Sequence, residues 1–170
     1  GQRVLVQPGV SCEACELCLG GQEQLCRHYG VLGETQDGGC AEFIAVPHHN
    51  LLPFPDGYSF EEAASLPLVF LTAWHMLVTR AHVQPHDDVL IHAGGSGVSS
   101  ASIQIAKLFN ARVITTVGSP EKAEKANRLG ADHVILYRHQ NFPEEVRKIT
   151  GKRGVDIVLD HIGLDTWEKS

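Results

Sequence analysis

Asp88-Val-Leu-Ile-His-Ala-Gly-Gly-Ser-Gly-Val-Ser-Ser-Ala-Ser-Ile-Gln-Ile-Ala-Lys107 is the stretch whose reading decides the fold. The apolar run Val89-Leu90-Ile91 meets a glycine-rich turn, and Val98, Ala101, Ile105 and Leu108 then recur at helical spacing. That order predicts a buried strand, a tight turn and a helix packed back on the strand. Gly94, Gly95, Ser96, Gly97 and Val98 put little bulk between backbone N–H groups and an approaching anion. The first turn of the helix aims its unpaired donors and positive dipole end at the same place. A dinucleotide's diphosphate is expected there. Read as Gly-x-Gly-x-x-Gly, the frame that suits the helix start runs Gly94, Ser96, Ser99, so small residues replace two glycines. A tight strand-to-helix connection in any α/β protein has the same look, and the surrounding units must decide.

Those units follow at once. Arg112–Val117 is rich in β-branched residues and predicts a second strand. Ser119-Pro120-Glu121 caps a helix whose Ala123, Ala126 and Leu129 form a buried stripe, and Gly130 ends it. Val134–Leu136 predicts a third strand, Phe142–Thr150 a short helix with Pro143 at its start and Gly151 past its end, and Val155–Leu159 a fourth strand. Strands alternating with helices imply a parallel sheet with right-handed crossovers, in the order 3-2-1-4. The fold class expected is α/β: a partial Rossmann-type doubly wound sheet over residues 59–170, short of its fifth and sixth strands.

Residues 1–58 read differently, as part of a small β-rich domain. Val4-Leu5-Val6 and the alternating Ala41–Val46 predict strands, with Asp37-Gly38-Gly39 as a hairpin-type turn before the latter. Pro53, Pro55 and Asp56-Gly57 mark a boundary. Beyond it Ser59 predicts an N-cap with Glu61 and Glu62 in the first turn, and Pro67 restarts a helix running to about Arg80.

The cysteines call for a metal. Cys12, Cys15, Cys18 and Cys26 give Cys-x2-Cys-x2-Cys-x7-Cys. Four thiolates on one looping segment can close a tetrahedron about zinc with no position left for water or substrate, which is a structural site. Unligated or disulfide-paired cysteines are the bland alternative, opposed by this density of spacing and by the reducing, cytoplasmic compartment it suits. An iron–sulfur cluster is the sharper rival, but bacterial clusters with this start use a three-residue last gap and a Cys-Pro pair, and here Arg27 follows Cys26. Cys40 stands apart and reads as a small buried hydrophobe. Among the 10 histidines, His48-His49 and His82/His86 form no face that could bind a second metal, and most are expected on the surface or in loops.

Composition narrows the partners. The 170 residues are 43% hydrophobic and 20% charged, a globular balance. A net charge of −6 with scattered Lys and Arg argues against nucleic acid. No run of eighteen apolar residues predicts a membrane span. The opening Gly-Gln-Arg-Val has no initiating Met and reads as the interior of a protein.

The chain resembles the zinc-containing alcohol dehydrogenase family of medium-chain dehydrogenases and reductases. The likeness is carried by the four-cysteine lobe, Asp37-Gly-Gly-Cys-Ala-Glu-Phe43, Leu71-Thr-Ala-Trp74, the Gly94 turn with Ile103-Gln-Ile-Ala-Lys107, and Leu129-Gly-Ala-Asp132. It spans nearly the whole chain but corresponds to about half of such an enzyme. It implies a GroES-like β-rich domain before the nucleotide domain, and hydride transfer between NAD(P)(H) and a small alcohol or aldehyde. It also implies a catalytic zinc, yet Leu68 falls where the family places a cysteine ligand. That departure tilts toward the related NADPH-dependent quinone and enone reductases, which are similar in Ala93–Val98 and need no catalytic metal. A non-catalytic dinucleotide-binding fragment is a further alternative, and the chain alone is expected to show no turnover. The complete protein is expected to be a homo-oligomer. No catalytic residue is assigned.

Cofactor choice rests on charge. A nicotinamide dinucleotide without the extra phosphate is gripped by an acid at the end of the second strand, where Val117 stands. Ser119 and Lys122 follow at a helix start, a donor and a cation suited to a 2′-phosphate, which favours NADP(H) over NAD(H). The same residues equally fit a plain cap and a solvated lysine. By the resemblance, Tyr137 lies beside the adenine ribose and Thr72 near the nicotinamide.

Overall fold

The computed structural model describes residues 1–170, and the chain divides into two compact units, Gly1–Leu68 and Val69–Ser170. The sequence places its boundary at 58/59; the units meet inside a helix.

In the first unit, β1 (Val4–Val6) pairs antiparallel with β4 (Leu51–Pro53), and β2 (Gly9–Val10) with β3 (Gly30–Val31). The buried Asn50 ties these pairs together, its Nδ2 donating to the carbonyls of Gln7 at 2.5 Å and Gly9 at 2.6 Å. Arg3 lies over Phe54 and Phe60, 4.7 and 4.8 Å from the ring centroids, and donates to Tyr58 O at 2.6 Å. A guanidinium stacked on apolar rings keeps its donors free for a carbonyl. Ser59 caps α2 (Phe60–Ala64) in a reciprocal box with Glu62, as its spacing predicts.

Three expectations in this unit are corrected. Ala41–Val46 forms no strand: no partner strand pairs with it, and Phe43 is 90% exposed, so alternation had no sheet to meet. The reversal falls earlier than Asp37–Gly39. Thr35 N donates to Val31 O, Thr35 Oγ1 accepts from Val31 N, and a Cβ on Gly38 would come 2.6 Å from Gly33 Cα. Gly38 thus serves a close backbone approach rather than a hairpin. Cys40, expected as a small buried hydrophobe, is exposed, lying in a bend that no strand follows.

Pro67 opens α3 (Pro67–Trp74), which continues as a wider π-type turn over His75–Arg80. By length and composition, Phe60–Arg80 is apolar enough to cross a membrane, with a mean hydropathy of 1.2, which run length alone did not reveal. It holds Glu61, Glu62 and Arg80, and its helical path is interrupted between Ala64 and Pro67.

The second unit is a four-stranded parallel sheet in the order β7-β6-β5-β8, with β5 Asp88–Ile91, β6 Arg112–Val117, β7 His133–Leu136 and β8 Ile157–Leu159. This is the predicted 3-2-1-4 order, with the last strand two residues shorter at its start. Alternate strand residues serve opposite faces. Val89, Ile91, Val113 and Val117 meet Ile103 and Ile105 of α4 (Gly97–Leu108) and Ala126 of α5 (Pro120–Arg128). Leu90, Ile114 and Ile135 meet Phe142 and Val146 of α6 (Phe142–Ile149) on the other side. Leu108, placed in the buried stripe by its spacing, is 76% exposed, since it lies at the last residue of α4. A short α7 (Leu164–Trp167) follows β8.

Asp88 starts the central strand fully covered and accepts hydrogen bonds from Arg112 and Arg153, while its N–H donates to Asp156 Oδ2 at 2.8 Å. The Arg112 hydrogen bonds hold its carboxyl below the usual range against the opposing effect of burial.

Candidate functional site

The carboxyl edge of the second unit's sheet gathers most of the dinucleotide residues expected from the sequence. After Ile91 the chain keeps pairing for one residue, His92 N donating to Leu159 O at 3.1 Å, then turns through Ala93 at φ 52°. Gly94 N donates to Thr116 O at 2.9 Å, and Ser96 caps α4, its Oγ accepting from Ser99 N at 3.3 Å. Helix α4 therefore begins at Gly97, and the fingerprint frame moves two residues from the expected one, to His92, Gly94 and Gly97.

Each glycine has a physical reason. A Cβ on Gly94 would collide with Thr115 Oγ1, itself bonded to Ile91 O at 2.7 Å. A Cβ on Gly97 would come 3.0 Å from Val69 Cγ1, and one on Gly95 2.8 Å from Lys122 Cδ. The Lys122 stem thus lies over the turn, while the residue as a whole stays exposed. Ser119 does cap α5, accepting from Lys122 N at 3.4 Å. Tyr137, half-exposed after β7, covers Gly118, where a Cβ would meet its hydroxyl at 2.7 Å. Val98 follows Gly97 in the first turn of α4. Thr72 lies on α3, one turn beyond Leu68.

Sequence reasoning missed what supports the turn. His92 is 1% exposed, its Nδ1 lies 3.0 Å from Thr116 Oγ1 and its Nε2 3.0 Å from Ser170 Oγ, and its ring meets Phe142 edge-on at 4.8 Å. Burial pushes its pKa down, partly offset by Asp160. The available signal was its place ahead of Ala93-Gly94, where a strict fingerprint has its first glycine. His161, two residues beyond β8, reaches Ser96 Oγ at 3.3 Å and was likewise unremarked. A cleft of about 320 Å³ lined by His92, Ala93, Thr116, Tyr137 and Phe142 opens beside this edge.

The cysteines of the first unit do converge. Sulfur separations are 3.8 Å for Cys12–Cys18, 3.4 Å for Cys15–Cys18 and 3.9 Å for Cys15–Cys26, and all four lie within 4.8 Å of one another. A tetrahedron with zinc–sulfur bonds of about 2.3 Å has edges of about 3.8 Å, so the donor set fits zinc. The short α1 (Glu16–Leu19) positions Cys18, and His28 N donates to Cys26 Sγ at 3.3 Å. Backbone N–H groups of Ala14 and Cys15 lower the Cys12 thiol to about 6. Cys15 is raised to about 11: the backbone of Cys18 pulls it down, but hydrogen bonds from its thiol and burial outweigh that. Beside the lobe, His49 Nε2 meets Glu13 Oε1 at 2.6 Å.

Comparison with known proteins agrees with this geometry. Residues 1–56 match the alcohol dehydrogenase GroES-like domain, and residues 97–170 the zinc-binding dehydrogenase domain. A solved structure described as an NAD-dependent alcohol dehydrogenase is 52% identical with a TM-score of 0.96, over 99% of this chain and 49% of its own. A synaptic vesicle membrane protein VAT-1 homolog of Danio rerio is 38% identical over 93% of this chain and 33% of its own length. A quinone oxidoreductase of Salmonella typhimurium is 43% identical over 68% and 36%. The chain spans between a third and a half of the length of these proteins. With both domain models matched and the whole chain superposing on a solved alcohol dehydrogenase, the chain belongs to the medium-chain dehydrogenase/reductase superfamily.

Proposed function

We propose that the chain is the dinucleotide-holding and structural-zinc portion of an oxidoreductase that moves a hydride between NAD(P)(H) and the reacting carbon of a small alcohol or aldehyde. One observation carries the reading. The turn at Ala93–Gly97 leaves β5, which has β6 on one side and β8 on the other, and this is the crevice where strand order reverses. The nicotinamide supplies the hydride chemistry when bound. The chain's own part is to hold and orient: the first N–H groups of α4 would hold the diphosphate, and Lys122 lies over Gly95.

NADP(H) is the favoured cofactor. Val117 offers no carboxylate to a ribose, while Lys122 and Ser119 offer a cation and a hydroxyl at the start of α5, with Tyr137 beside them. The alcohol dehydrogenase in the comparison is described as NAD-dependent, which makes cofactor preference the first thing to measure. Nicotinamide fluorescence titration should give tighter binding of NADPH than NADH, and Lys122→Ala should weaken NADPH by about tenfold while sparing NADH. An unchanged preference in that variant removes the NADP assignment.

A second reading is favoured by Leu68, whose alkyl side chain cannot bind a metal. On that reading the complete protein reduces quinones or enones with no catalytic zinc. Turnover of a quinone by the complete protein, insensitive to chelator, selects it; chelator-sensitive oxidation of an alcohol selects the first. In this proposal the 170-residue chain alone shows no turnover, and the complete protein works as a homo-oligomer in a reducing compartment such as the cytoplasm.

A further inference from the structure

We infer that His92 and Thr116 form a buried polar brace under the phosphate-binding turn, making His92 a positioning residue for the dinucleotide; the inference rests on the dinucleotide reading above.

Ala93 sits at φ 52°, a conformation that side-chain-bearing residues rarely adopt, so something must hold it there. Thr116 does so twice: its backbone carbonyl accepts from Gly94 N at 2.9 Å and its Oγ1 accepts from Ala93 N at 3.3 Å. The hydroxyl can keep a lone pair on Ala93 N–H only if its own proton is placed elsewhere. Its other partner is His92 Nδ1, at 3.0 Å. With the neutral ring protonated on Nε2, the Thr116 proton goes to Nδ1 and every group of the trio is satisfied. The opposite tautomer leaves the Thr116 proton without an acceptor in a residue only 3% exposed. Burial favours the neutral ring.

The backbone of His92 adds two further ties. Its carbonyl accepts from Ser99 Oγ at 2.7 Å, linking the strand end to the first turn of α4, and its N–H donates to Leu159 O at 3.1 Å, linking it to β8. A glycine at this position would keep the backbone ties and lose the imidazole that orients Thr116. The brace therefore acts on the direction of the turn's N–H groups, and through them on the diphosphate. His92 touches no substrate atom in this scheme.

The test separates positioning from stability. Removing one partner leaves the other buried and unsatisfied, whereas replacing both with apolar groups relieves that penalty. The double variant His92→Leu/Thr116→Val should melt within a few degrees of the unaltered chain and bind NADPH about tenfold more weakly in fluorescence titration. His92→Asn, which can still present an acceptor near Nδ1, should stay within about threefold. A double variant that binds NADPH like the unaltered chain overturns the inference. Should the double variant fail to fold, Thr116→Ser, which keeps the hydroxyl, is compared with Thr116→Val; equal NADPH affinity in the two overturns it as well. If the unaltered chain binds neither NADPH nor NADH, the dinucleotide reading itself fails, which is a different result.

Discussion

Ser96 Oγ and His161 Nε2 lie 3.3 Å apart, joining the connection that leaves β5 to the one that leaves β8. The pair spans the crevice in which the dinucleotide is proposed to lie. Because the imidazole is on the surface, His161→Ala should change stability by less than about 0.5 kcal/mol. It should weaken NADPH binding about threefold to tenfold, through loss of a polar contact at the mouth of the crevice. Ser96→Ala, which also removes the α4 cap, should cost about 1 kcal/mol in chemical denaturation. Titration and denaturation together check both, and a His161→Ala chain with full affinity excludes any part for the imidazole.

Gly94 has no room for a methyl group, since Thr115 Oγ1 occupies that space and is bonded to Ile91 O. Gly94→Ala should destabilise the second unit by about 2 kcal/mol, as overpacking does. Thermal melting followed by tryptophan fluorescence reads that unit, because Trp74 and Trp167 both fall within it. A melt that does not move would mean the turn yields freely, and the tight-approach account of Gly94 would go.

The purified chain should carry about one zinc and no visible colour, as a closed four-thiolate site requires. Stripping it with a strong chelator should raise hydrogen exchange around Cys12–Cys26 and leave the tryptophan signal of the second unit unchanged. Absorbance in the visible range would point to an iron–sulfur cluster instead.

Much of this is legible in the sequence alone. The sheet order 3-2-1-4, the Ser59 and Ser119 caps and the four-cysteine site follow from local patterns whose physics is short-range: periodicity, capping and ligand spacing. The failures share the opposite cause. Ala41–Val46 alternates like a strand, but a strand needs a partner, and partners are set by distant residues. The fingerprint frame slipped because it was aligned on an expected helix start, while the actual start at Gly97 is set by the Ser96 cap. His92 was passed over with it, since Thr116, which shows what the ring is for, lies 24 residues away.

Acid should weaken the second unit in a defined way. Asp88 is held below its ordinary carboxylate value, Arg112 first among the causes, and Asp156 lies at about 2 through Arg153. A carboxylate depressed in the folded state lends stability that is complete above its unfolded pKa and disappears as pH falls through the folded one. The contribution is thus full above about pH 4 and lost as pH drops toward 2. Asp88→Asn should lower stability near neutrality by about 2 kcal/mol and flatten this acid limb. An acid limb as steep as that of the unaltered chain would show that other groups set it.

The central strand β5 is clasped at both tips, by guanidinium groups on Asp88 at its start and by the imidazole of His92 just past its end. Slippage of β5 by a single position against β6 would unfasten both clasps at once and turn Val89 and Ile91 to the wrong layer. Misaligned sheets are thereby penalised by polar groups as well as by greasy ones, and the edge that receives the cofactor inherits its alignment from the opposite end of the strand.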